Sequence, residues 1–182
     1  AVNTEGQAEF QTIVSKYTRA DHYFLDPENL RTSEFVYSKL REYDIVIAGI
    51  TGLELRPSSS FGVTPALTNA VNRLASQQGT IITWFGNPYG IEKLNLTYTP
   101  SGLIIGYQDN KYTQQAAVQV IFGALGASGR LPVTINTKYP EGFGLKSPEN
   151  LRLQYGFPEN AGLSSEILNS KIDSIAVAGL DS

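Results

Sequence analysis

The fold is decided by the stretch Phe122-Gly-Ala-Leu-Gly-Ala-Ser-Gly-Arg-Leu-Pro-Val-Thr-Ile135. Glycine recurs in it at every third position, at Gly123, Gly126 and Gly129. Because glycine accepts positive φ at no steric cost, this recurrence predicts the end of a helix and a turn. Pro132 excludes further helix, since it lacks an N–H and fixes φ. We therefore predict a helix over residues 113–125 and, after the turn, a short strand over 133–135.

Outward from this stretch, apolar runs alternate with segments whose apolar residues recur every three to four positions. The runs predict strands at 22–25, 45–50, 80–85 and 103–107, and the periodic segments predict helices at 10–17, 33–43 and 65–76. Such alternation requires crossover connections and favours a parallel sheet covered on both faces. The sequence therefore predicts an α/β fold: a three-layer sandwich around a mostly parallel, doubly wound sheet of about five or six strands.

The two ends of the chain suggest a piece of a longer polypeptide. Residues 1–3 are typical of the end of a strand already under way. A second unit is predicted to begin at Lys146, where turn residues lead to an amphipathic helix over 164–178. We accordingly expect an α/β domain over 1–145, followed by a linker and the start of another domain over 146–182.

Composition excludes several functional classes. The chain has 182 residues, 41% of them hydrophobic, and a net charge of −3, which is typical of a soluble globular domain. Lys and Arg are scattered along the chain, whereas nucleic-acid binding needs clustered cations to contact the phosphates. The sequence therefore predicts no nucleic-acid partner. Cysteine is absent, which excludes disulfides, thiolate zinc sites and a catalytic thiol. No apolar run approaches the roughly 20 residues that span a bilayer.

The motif residues resemble a known family. Phe122-Gly123, Gly129-Arg-Leu-Pro-Val-Thr-Ile135 and Tyr139-Pro-Glu-Gly-Phe-Gly-Leu145 closely resemble the segment that closes the C-terminal α/β domain of family-three glycoside hydrolases. Gly86-Asn-Pro-Tyr89 and Tyr107-Gln-Asp109 look more like its β-N-acetylglucosaminidase branch than its β-glucosidase branch. Further along, Pro158-Glu-Asn-Ala-Gly-Leu-Ser164 resembles the opening of a serine β-lactamase-like domain.

The resemblance implies a part without catalytic residues. In these hydrolases the nucleophilic Asp lies on a preceding (β/α) barrel, and in the N-acetylglucosaminidase branch the acid/base pair does too. The chain is therefore expected to be a non-catalytic accessory domain of a bacterial β-N-acetylglucosaminidase, acting on carbohydrate such as cell-wall fragments. Its implied partners are that barrel and a β-lactamase-like domain, its implied location is the bacterial cell envelope or periplasm, and no cofactor is implied.

The β-glucosidase branch leaves an alternative open. Its acid/base Glu lies on a loop of the C-terminal domain, in a phrase that this chain lacks. Glu54 is the carboxylate nearest the corresponding position, and Arg56 follows two residues later. An exposed Glu beside an Arg is usually only a surface pair worth under about 1 kcal/mol.

Candidate ligand-binding residues follow the predicted strands. In a doubly wound sheet, ligands bind in the crevice outside the carboxyl ends of the strands, here loops 51–61, 86–90 and 108–111. These loops carry the candidate ligand residues Asn87, Tyr89, Gln108 and Asp109. Amides and carboxylates recognise sugar hydroxyls and aromatic rings stack on sugars, so an independent carbohydrate-binding module is a further alternative. The same residue types are also what turns require. His22, the single histidine, is expected to be a packed residue rather than a metal ligand.

Overall fold

A computed structural model describes residues 2–3 and 9–180, and these divide into two compact units between Arg152 and Leu153. In the first unit, strands and helices alternate along the chain. They are β1 (Val2–Asn3), α1 (Glu9–Tyr17), β2 (Tyr23–Phe24), α2 (Leu30–Leu40), β3 (Val46–Ile50), a 3₁₀ segment (Pro57–Gly62), α3 (Pro65–Ala75), β4 (Thr80–Trp84), α4 (Tyr89–Lys93), β5 (Gly102–Ile105) and α5 (Lys111–Ile121).

The strands form one parallel sheet in the order β2-β1-β3-β4-β5. Val46 lies opposite Thr80, and Ile82 lies opposite Leu103. This confirms the predicted α/β class with a parallel sheet. Within the described residues, however, β1 and β2 each span two residues and three strands span four or five. Counting these three longer strands alone, the sheet has fewer strands than the five or six predicted.

Helices cover both faces of the sheet. On one face, Ala48 of β3 and Ile82 of β4 belong to a buried cluster with apolar residues of α2 and α3. On the other, Ile47 and Ile104 pack against a second cluster that contains residues of α1 and α5, with Phe10 and Val118 fully buried. Alternate residues of one strand thus enter different cores, as the period of two in a strand requires.

Local sequence explains where the helices begin. Thr64 caps α3, its Oγ1 accepting the Leu67 N–H at 3.0 Å, and Pro65 occupies the first helical position. Asn110 caps α5 in a reciprocal arrangement with Thr113. These side chains satisfy backbone donors that an α-helix leaves unpaired at its start.

The predicted strand over residues 133–135 is wrong. This segment lies in a loop that folds back on itself: the Leu131 N–H donates to the Phe143 carbonyl at 2.8 Å, and the Ile135 N–H to the Tyr139 carbonyl at 2.9 Å. The side chains of Leu131 and Ile135 are buried in the core. The apolar pattern therefore reflects burial of a loop rather than pairing in the sheet, and α5 ends at Ile121.

Residues 146–152 belong to the first compact unit. The Ser147 N–H donates to the Ala127 carbonyl at 2.9 Å, and the Leu151 N–H donates to the Gly123 carbonyl at 2.9 Å. The division between compact units therefore falls after Arg152, seven residues beyond the boundary predicted from turn composition.

The second unit is a 3₁₀ turn (Pro158–Ala161) followed by α6 (Ser165–Leu180). Glu159 ties the two together, because its Oε1 accepts the Ser165 N–H at 2.8 Å and its Oε2 accepts the Ser165 hydroxyl at 2.9 Å. These bonds lower the pKa of Glu159. Within the described part of the chain, no helix has the length and apolar character needed to cross a membrane.

Gly79 lies in the turn between α3 and β4, and its substitution tests whether this turn requires glycine. Its φ is +77°, and a Cβ at this position would clash with the carbonyl oxygen of Asp44. We expect Gly79→Ala to lower the free energy of unfolding by at least about 2 kcal/mol. Gly129→Ala is the matched control, because a Cβ there meets nothing within 4 Å, and it should change the value by less than about 0.5 kcal/mol. Urea unfolding measures both, and equal losses would contradict the account.

Candidate functional site

The loops that follow β3, β4 and β5 meet at the carboxyl edge of the sheet. The Gly52 N–H, after β3, donates to Oδ2 of Asp109, after β5, at 3.0 Å. Between them, Leu53 lies against Gly86, after β4, where an added Cβ would be 2.7 Å from the Leu53 Cδ1. The structure thus brings the three predicted loops together.

Asp109 braces this edge. Its Oδ1 accepts a hydrogen bond from the Gln114 Nε2 at 2.6 Å, so both carboxylate oxygens have partners within the protein. Gln114 is buried, and its Oε1 accepts the Phe10 N–H at 2.9 Å. One carboxylate thereby connects the loop after β3, the start of α5 and, through Gln114, the start of α1. These contacts assign Asp109 a structural role.

The side-chain oxygens of Asn87 and Gln108 are also used locally. The Asn87 Oδ1 accepts the Tyr89 N–H at 3.0 Å, and its carbonyl accepts the buried Trp84 Nε1–H at 2.9 Å. The Gln108 Oε1 accepts from the Asn110 Nδ2 at 3.2 Å. Both residues therefore serve turns, as their residue types alone would suggest.

Tyr89 presents its ring at this edge. The side chain is 40% exposed, and the ring stacks on Phe61 with a centroid separation of 6.4 Å and an interplanar angle of 27°. Phe61 is buried beneath it. At Gly90, an added Cβ would be 2.7 Å from the Trp84 ring and 3.3 Å from the Phe61 Cβ, so glycine is required for this close packing.

Glu54 is an exposed carboxylate on the loop after β3. The described residues include no ion pair between Glu54 and Arg56, so the anticipated pairing does not form. The loops 51–61, 86–90 and 108–111 contain two carboxylates, Glu54 and Asp109. Asp109 is held in place by its two donors, but each of its oxygens has a further lone pair, so the two carboxylates differ in how firmly the protein holds them.

His22 immediately precedes β2 and lies away from this edge. Its Nε2 is 2.6 Å from the Ser15 Oγ, while its Nδ1 is buried and without a partner among the described residues. Either tautomer leaves Nδ1 unsatisfied, as a donor or as an acceptor. The Ser15 hydroxyl also lies 3.2 Å from the Gln11 carbonyl, so its proton has an acceptor other than the imidazole. No described group binds Nδ1 to orient the imidazole, so the pair lacks the third member that an activated nucleophile requires.

Sequence reasoning missed a groove between α2 and α3. It has a volume of about 240 Å³ and is lined by residues of both helices. The Arg73 guanidinium lies 3.9 Å from the centre of the Tyr37 ring and binds both carboxylate oxygens of Glu34. This hydrogen bonding lowers the pKa of Glu34, and burial raises the pKa of Tyr37. No local pattern marks these residues, because they come from separate helices.

Metal ligands are not clustered in the described part of the chain. No group of three or more His, Cys, Asp or Glu side chains there is arranged to hold a metal ion.

His22 makes stability depend on pH. Burial lowers its pKa below the ordinary 6.5, partly opposed by the charge of Asp21. The unfolded chain thus binds the proton more readily, so stability is fully present above that value and falls as pH drops towards the folded pKa. Urea unfolding at about pH 7.5 and about pH 5.5 should show a loss that shrinks in His22→Gln. An identical loss in both proteins would contradict this assignment.

Comparisons of the chain with protein families, with curated proteins and with solved structures find no match.

Proposed function

We propose that this chain is a non-catalytic accessory domain of a bacterial β-N-acetylglucosaminidase. One observation carries the proposal: both oxygens of Asp109 accept hydrogen bonds from the protein, so Glu54 is the remaining carboxylate of the three loops. Glycosidases commonly need two carboxyl groups, one on each side of the bond that is cut. Because one of the two carboxylates at this edge is committed to the packing of the loops, we assign the chemistry to another domain.

The position of the motifs supports the same role. The stretch that resembles family-three glycoside hydrolases folds into a loop whose Leu131 and Ile135 side chains enter the core. Such residues stabilise a domain and do not contact substrate. In this proposal, the parallel sheet described above is the central layer of a doubly wound three-layer sandwich.

The proposed partners follow from the resemblance. A (β/α)-barrel domain of the same polypeptide supplies the catalytic residues, and residues 146–182 are a linker and the start of a β-lactamase-like domain. The enzyme then acts on β-linked N-acetylglucosamine in the bacterial envelope or periplasm, with cell-wall fragments as the substrate class. No cofactor takes part in the proposed reaction.

A second function is favoured by Glu54. This carboxylate is exposed and, among the described residues, has no ion pair with Arg56, so it is available to a neighbouring domain. In a β-glucosidase it would act as the acid/base at an interdomain site. The two functions differ in the substrate cleaved and in the role of one side chain.

The test is hydrolysis by the 182-residue chain and by the complete polypeptide of the proposed enzyme. Chromogenic β-N-acetylglucosaminide and β-glucoside are the substrates. We expect the complete polypeptide to cleave the N-acetylglucosaminide and the chain alone to cleave neither, because one of the two carboxylates in the three loops is committed to packing.

Two results would overturn the accessory role. Hydrolysis by the chain alone would place the chemistry within it. A loss of kcat of about a hundredfold or more in Glu54→Gln of the complete polypeptide, on β-glucoside, would establish the β-glucosidase alternative. Glu92→Gln is the control in that case, since Glu92 is an exposed glutamate on α4.

A further inference from the structure

We propose that the groove between α2 and α3 binds a small carboxylic acid with a short apolar chain. In this site the Arg73 guanidinium holds the carboxylate of the ligand, and Glu34 competes with the ligand for Arg73. The groove has a volume of about 240 Å³, and both of these side chains line it. The inference does not rest on the accessory role proposed above.

Two side-chain bridges join the helices that form the groove. Where the helices begin, the Thr64 hydroxyl at the start of α3 donates to the Glu28 Oε1, just before α2, at 2.9 Å. Further along, Arg73 of α3 binds both carboxylate oxygens of Glu34 on α2. Because the helices are connected at both places, the space between them is a feature of the folded domain.

The walls of the groove offer apolar surface around a small space. Ala66 and Ala70 line it from α3, and their short side chains leave the space unfilled. Leu30 lines it from α2 and is 76% exposed, so it has apolar surface that a ligand would cover. Pockets for drug-sized ligands have volumes of roughly 300–1,000 Å³, so this smaller groove fits only a short chain.

The Arg73 guanidinium is already positioned to bind a carboxylate. It lies 3.9 Å from the centre of the buried Tyr37 ring, and its second Nη is 2.8 Å from the Glu34 Oε2. The planar guanidinium matches a carboxylate with two parallel hydrogen bonds, and stacking on the ring fixes its plane. Glu34 therefore occupies the place that we assign to the carboxylate of the ligand.

Glu34 is a partner that a ligand can replace. Its side chain is 61% exposed, and exposed ion pairs add little to stability because water and salt screen them. Its hydrogen bond to Arg73 lowers the pKa of Glu34, and the charges of Arg73 and Arg41 lower it further. Two guanidinium groups thus act on one carboxylate. When Glu34 turns towards Arg41, the Arg73 charge is left for the carboxylate of the ligand.

The experiment follows the backbone amides of the isotope-labelled 182-residue chain by NMR during titration with sodium isocaproate at neutral pH. We expect saturable shifts at residues of α2 and α3. Isocaproamide has the same shape without the charge and should bind at least about tenfold more weakly. Arg73→Lys should weaken isocaproate binding at least about fivefold, because lysine lacks the planar fork.

Glu34→Gln gives the sharpest result, because it should tighten isocaproate binding at least about threefold. The neutral amide competes less well for Arg73 than the carboxylate does. Glu42→Gln is the matched control: Glu42 is also an exposed glutamate in an ion pair, 3.0 Å from Lys39, but it does not line the groove. It should leave the affinity unchanged. Ala66→Leu fills the groove and should abolish binding.

The amide spectrum of each variant also reports whether it is folded, and Glu34→Gln, at an exposed position, keeps the inference testable if Ala66→Leu is unstable. No saturable shift up to about 50 mM isocaproate would overturn the inference. So would equal affinity for the acid and the amide, or a Glu34→Gln variant that binds isocaproate no more tightly than the original chain. None of these results bears on the accessory role, which is tested by hydrolysis.

Discussion

Burial of both faces of β3 and β4 is the constraint on which the rest of the structure depends. Ala48 and Ile82 face one cluster, while Gly49 lies against the Phe10 ring on the other face. A parallel pair buried in this way needs helices on both sides and crossover connections between strands. Because the strands are parallel, the loops that leave them gather at one edge.

That edge has its own hydrogen-bonding requirement, since loop N–H groups at a crowded surface need acceptors. Asp109 accepts from Gly52 and from Gln114, so a residue that is also a candidate ligand group joins three segments. What remains open to a partner is the stacked ring of Tyr89 and the carboxylate of Glu54. The geometry thereby separates a bracing carboxylate from an available one, which the sequence alone did not distinguish.

The features that could be predicted from the sequence were those that depend on residues close together in the chain. The apolar runs located β3 and β4, and Thr64 followed by Pro65 marked the start of α3. The non-local parts were not predictable: Gly52 and Asp109 are 57 positions apart, and Phe10 and Gln114 are 104 apart. The predicted strand at 133–135 failed for a related reason, because a short apolar run looks the same in a sheet as in a buried loop.

The central claim is that Asp109 braces the edge and Glu54 does not. The most direct measurement is the free energy of unfolding of Asp109→Ala and Glu54→Ala, two exposed carboxylates of the same set of loops. The account predicts a loss of about 1–2 kcal/mol for Asp109→Ala, whose donors lose their acceptor, and less than about 0.5 kcal/mol for Glu54→Ala. Equal effects of the two substitutions would contradict it.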